Sequence, residues 1–205
     1  MILVYLLILS VLVGYLRKGR LRHYAQTPLR GLLFPIFAFL LEAVFGLLDK
    51  LLPWPPEKWL WAAVSLEYAM LFVFIWLNRR RRSFVVLAAA AALNFAVIAA
   101  NGFRMPVTPV VYDYPQFARF VERVSSGELL EYVLVGWDAP LWWLGDTIPV
   151  PWIVPGLASV GDVGLGLGVF LLLQEIMCPR DAKGAQAAAA KPDAQRDAGV
   201  RNGTP

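Results

Sequence analysis

Residues 59–100 read WLWAAVSLEYAMLFVFIWLNRRRRSFVVLAAAAALNFAVIAA. Two apolar runs, Trp59 to Asn78 and Ser83 to Ala100, flank four consecutive arginines, Arg79 to Arg82. At about 1.5 Å per helical residue each run is roughly 27–30 Å long, the thickness of a bilayer's hydrocarbon core. Only Glu67 and Asn94 interrupt them with strongly polar groups. An arginine block between two such runs marks a cytoplasmic loop, because basic residues are held back from crossing the membrane. The stretch predicts a helical hairpin in a membrane and fixes the orientation of everything around it.

Outward from this hairpin, further apolar runs lie at about 1–16, 31–48 and 155–177. Arg17, Lys18, Arg20 and Arg22 follow the first run. A secretory signal peptide has the reverse order, so a retained span with its N-terminus outside is expected. Leu52-Pro53-Trp54-Pro55-Pro56 reads as a rigid outer turn, since consecutive prolines forbid helix. Fourteen of the 19 Lys and Arg fall in the alternate loops and the C-terminal tail. The expectation is a multi-pass protein of the cell membrane, N-terminus outside and C-terminus cytoplasmic.

Whole-chain composition agrees. Of 205 residues, 59% are hydrophobic and 17% charged, with a mean hydropathy of +0.58. A soluble domain is about half apolar and a quarter charged. The excess excludes a soluble enzyme, a disordered protein and a disulfide scaffold. The single cysteine, Cys178, excludes an internal disulfide and a multi-cysteine metal site. No cofactor or metal is expected. The net charge of +4 sits in short blocks beside apolar runs, so nucleic acid is not an expected partner; membrane lipids are.

The fold class is therefore all-α: a polytopic bundle of five transmembrane helices with an outer cap of short amphipathic helices. Residues 1–178 form one membrane domain, with 101–154 as its outer segment. Residues 179–205, rich in Ala, Lys, Asp, Gln, Gly and Pro, are expected to be a disordered cytoplasmic tail. Within the outer segment Phe117, Phe120, Val121 and Val124 recur at helical spacing, predicting a short helix on the bilayer surface. Glu128 to Val135 is read as a second one. Seven of the eight tryptophans, all but Trp76, lie at or beyond outer span ends. They read as an aromatic belt or as a stacking surface for a lipid or glycan.

Polar groups inside the spans carry the functional reading. Glu42, Glu67, Asn94 and Asp162 each lie roughly 10–13 Å from the outer end of their span. Such groups are costly in hydrocarbon and face a partner or a cavity. Two readings stay open: interhelical hydrogen bonds, or a cavity open to the outside. Gly161, Gly164 and Gly168 strip one helix face of side chains and predict close helix packing. If that helix starts near Ser159, Ser159 is its N-cap and Asp162 its third residue, forming a capping box.

Three strings carry a family resemblance: Asn101-Gly102-Phe103-Arg104-Met105-Pro106-Val107, Leu144-Gly145-Asp146-Thr147-Ile148-Pro149, and Ser159 to Gly168. They resemble a bacterial family of small integral membrane proteins, domain of unknown function 5317, which implies no particular activity. The placement and order of Asp146 and Asp162 are also similar to the two aspartates of lipoprotein signal peptidase, a small membrane aspartyl protease. The surrounding motifs depart from that family's Gly-Asn-x-x-Asp-Arg pattern. Three functions compete: binding or transport of an apolar or amphipathic solute in an outward cavity, with Glu42, Glu67, Asn94, Asn101, Arg104 and Ser159 as binding candidates; an aspartyl-type membrane hydrolase using Asp146 and Asp162; and a non-catalytic scaffold for a partner membrane protein.

Overall fold

The computed structural model describes residues 2–22, 28–51, 57–150 and 155–178, with the backbone alone at 42, 49–51, 57 and 58. The expected proline turn at 53–56 and the expected tail at 179–205 lie outside the described residues.

Among the described residues, six α-helices and two small sheets follow in order: α1 (Ile2–Leu16), α2 (Leu33–Leu51), α3 (Glu57–Leu77), α4 (Arg82–Ala100), β1 (Met105–Val107), α5 (Ala118–Ser125), β2 (Tyr132–Leu134), β3 (Ile148–Val150), β4 (Gly156–Ala158) and α6 (Val160–Met177). Among the described residues, three segments are long and apolar enough to cross a membrane: Trp59–Leu77, Arg82–Ala100 and Val160–Met177. Ile2–Leu16 and Leu33–Leu48 are apolar but shorter. Large apolar side chains stand exposed along α1 to α4, among them Leu12, Leu33, Phe39, Trp61 and Val85. An apolar surface this extensive is foreign to a monomer in water.

The centre is α6, packed between α1 and α4. Its glycines explain why. A Cβ on Gly164 would stand 2.8 Å from the Ala90 Cβ, and one on Gly168 2.6 Å from a Leu87 methyl. Contact at that range exists only where neither side chain intervenes. Along these pairs α4 runs antiparallel to α6. On the opposite side α1 runs parallel to it, with Leu6 against Gly166 and Gly14 against Met177.

Polar clasps fasten the half of the bundle away from residues 101–158. The Gln174 amide donates to the Ser10 carbonyl (2.7 Å), and the Ser10 hydroxyl donates to the Phe170 carbonyl (3.0 Å). Glu175, in the last turn of α6, accepts from the Ser83 N–H (3.2 Å) and hydroxyl (2.9 Å). It thereby satisfies the free donors at the start of α4 with the charge sign the helix dipole favours. The α2–α3 hairpin joins through α3, where Phe74 and Ile75 meet Phe84, Leu87 and Ala91.

The outer segment corrects the sequence reading in three ways. It is not helical throughout: β1 pairs in parallel with β2, and β3 pairs antiparallel with β4. Residues 132–134 are thus strand, not helix, because Met105–Val107 offers them a free edge. The apolar face of α5 packs on protein. Phe117, Phe120 and Val121 turn inward with Val107, Val111 and Leu134, forming the cap's own core. Finally, the last helix starts at Val160, since residues 156–158 are held as strand by Ile148–Val150.

Candidate functional site

Two places gather chemistry-bearing side chains. The first is the junction of the C-terminal end of α4 with the N-terminal end of α6. Ser159 caps α6 and Asp162 completes a capping box: the Asp162 N–H donates to the Ser159 Oγ (3.0 Å), and the Ser159 N–H to the Asp162 Oδ2 (3.2 Å). Buried Asn94 bridges the two, donating through Nδ2 to the Asp162 Oδ1 (3.0 Å) and accepting the Ser159 hydroxyl at Oδ1 (2.9 Å). The later helix start puts Asp162 in the first turn of α6, at the end of the span.

Asp146 is brought here by the fold-back of the chain. The pairing of Ile148 with Ala158 sets Thr147 beside Ser159 and carries Asp146 to the start of α6. On its other side Asp146 is stitched to β1: its N–H donates to the Pro106 carbonyl (2.9 Å), and the Thr108 N–H to its own carbonyl (3.4 Å). Gly145 makes this possible, since a Cβ there would lie 2.5 Å from the Pro106 oxygen. Asp146 is 5% exposed, and its Oδ1 is the one buried side-chain polar atom without a hydrogen-bond partner among the described residues. Burial, reinforced by the charge of Asp162, pushes its carboxyl from the ordinary 3.8 up to about 7.

Asn101 caps the end of α4. Its amide donates to the Val97 and Pro140 carbonyls, both at 2.8 Å, tying the helix to the tryptophan loop. There Trp142 stacks edge-on against Trp137, while Trp143 is half exposed. Arg104 is half-buried, in the turn between α4 and β1.

The second place is a cavity of about 570 Å3 between α2 and α3, roofed by residues 123–131 of the cap. Phe39, Leu41, Phe45 and Leu47 of α2 and Leu60, Ala63 and Val64 of α3 wall it; Glu67 is its polar wall residue. At the mouth Arg123 binds Glu128 through Nε and Nη2, both 2.9 Å from Oε1. Glu131 stands beside them, exposed. Neither Asn94 nor Asp146, Ser159 or Asp162 lines this cavity. The polar layer read from the sequence therefore divides: Asn94 and Asp162 meet at one site, and Glu67 belongs to another. The Glu42 side chain lies outside the described residues. Sequence reasoning missed the cavity's roof, because its walls come from segments far apart in the chain.

Fold and sites together define a mostly helical protein with, among the described residues, three apolar helices of membrane length, a strand-stitched cap and two polar sites on the side of that cap. The profile of the family of unknown function DUF5317 matches residues 26–174, and the chain belongs to that family. It is similar to an uncharacterized protein of Thermotoga maritima, 29% identical over 176 residues, covering 85% of this chain and 88% of the relative. No solved structure matches.

Proposed function

We propose that this is a five-span protein of the cell membrane, N-terminus outside, which binds an amphipathic, chain-bearing solute in the cavity beneath its outer cap. The observation that carries this reading is the cavity itself: about 570 Å3 and, among the described residues, apolar on its helical walls and charged at its roof and at Glu67. Its size falls in the range of small-molecule sites, about 300–1,000 Å3. An apolar chain would displace no bound polar group there, and a polar head would remain at the charged mouth. The parallel course of α1 and α6 supports placing both of their N-terminal ends on the side of the cap.

The test is binding of a fluorescent single-chain amphiphile to protein in phosphatidylcholine nanodiscs. Gly46 lines the cavity, and a Cβ there would meet nothing within 4 Å, so Gly46→Phe fills the space with little cost to folding. The variant should lose the saturable binding of the wild type, and Ala63→Phe should do the same. Equal binding by all three would refute the cavity as the site.

A second reading, an aspartyl hydrolase, is favoured by the buried Asp146 Oδ1, which has no hydrogen-bond partner, and by the influence of the Asp162 charge on that carboxyl. A dyad needs one acid protonated and one ionised, and burial raises the Asp146 carboxyl toward the protonated form. Against it, both Asp162 oxygens are already engaged by Asn94 and Ser159. Cleavage of a quenched, membrane-anchored peptide that is lost in Asp146→Asn but kept in Gly46→Phe would favour the hydrolase.

A further inference from the structure

The charges around the cavity select among amphiphiles. The described groups that bear on it are Arg123, Glu128 and Glu131 from the cap and Glu67 from α3; the described residues of α2 that line it are uncharged. Arg123 is satisfied by Glu128 through two of its nitrogens, so among the described residues the one cation lining the cavity is already paired. Glu131 adds a carboxylate at the same mouth, with its side chain in solvent and its backbone fixed by the bond from the Met105 N–H to its carbonyl (2.7 Å). Among the described side chains, a head group arriving here meets more negative than positive charge above apolar walls.

We infer that the occupant is a cationic amphiphile, a single apolar chain ending in a primary or quaternary amine. This rests on the cavity reading and adds the sign of the head group. An anionic head would be repelled by Glu131, and a neutral one would gain only the apolar wall. Opposite unit charges about 4 Å apart in water exchange about 1 kcal/mol, which is about fivefold in affinity. Glu131 should thus separate a cationic from a neutral probe by about fivefold, and a cationic from an anionic one by more.

Three fluorescent C12 probes test this in neutral nanodiscs, ending in an amine, a hydroxyl and a carboxylate. Binding is the signal that Gly46→Phe removes. The amine should bind tightest, with the order amine, hydroxyl, carboxylate. Glu131→Gln should bring the amine down to the hydroxyl within about twofold, and Glu131→Lys should invert the order, while the hydroxyl probe stays unchanged in both. Equal binding of all three probes, removed together by Gly46→Phe, would overturn the charge selection and leave the cavity reading standing. Tightest binding by the carboxylate would overturn it as well. No removable binding of any probe would overturn both.

Discussion

Replacing Asp146 with Asn should change the pH dependence of stability in a calculable way. In the fold this carboxyl is buried and lacks a partner on Oδ1, and its pKa rises from 3.8 to about 7. Between those values the folded protein holds a proton that the unfolded chain has released. Stability therefore falls as pH rises through this window. The contribution is intact below about pH 4 and fully lost above about pH 7, a difference of about 4 kcal/mol. Asparagine keeps the shape of the protonated acid and does not titrate. The assay is chemical unfolding in detergent across that pH range, followed by fluorescence of Trp142 and Trp143, which stand just before Asp146. Wild type and Asp146→Asn should agree at the acid end, and the variant should be the more stable by up to about 4 kcal/mol at the alkaline end. Parallel curves for the two proteins would show that Asp146 is not the buried acid described here.

Other perturbations test the rest of the framework. Asn94→Leu leaves Ser159 and Asp162 without their bridge and should cost about 1–3 kcal/mol by the same unfolding assay. Gly164→Val places methyls where Ala90 already stands; the destabilised protein should melt several degrees lower, whereas Gly102→Asn, at a positive-φ turn with open space around it, should be nearly silent. Single cysteines at Asp138 and Arg81, in a background lacking Cys178, should label from opposite sides of intact cells, Asp138 from outside; labelling of both from one side would end the five-span topology.

The sequence was most informative where chemistry and spacing coincide. The triplet Gly161, Gly164 and Gly168 has one physical use in an apolar helix, and α4 lies against it. Ser159 and Asp162 stand three apart before an apolar run, and the capping box forms. Between Asp146 and Asp162, Pro149 and Pro155 are incompatible with one continuous helix, and β3 pairs antiparallel with β4 there. What stayed hidden depends on distant partners. Strands of three residues containing Pro106 or Pro149 show no alternation to read. The helical spacing of Phe117 to Val124 reveals an apolar face but not whether lipid or a protein core covers it. The Ser10–Gln174 clasp joins two ordinary polar residues across 164 positions. Glu67 stood out as a costly group, yet only packing could assign it to the α2–α3 cavity instead of the Asn94 cluster.

The most direct measurement is photocrosslinking with a C12 amine that carries a diazirine at mid-chain, followed by peptide mapping of the adducts in membranes. The account predicts that saturable adducts concentrate on the α2 wall around Phe39 to Leu47 and the α3 wall around Leu60 to Glu67, and that they vanish in Gly46→Phe. Adducts spread over the exposed apolar faces of α1 and α4, unchanged by that substitution, would contradict it.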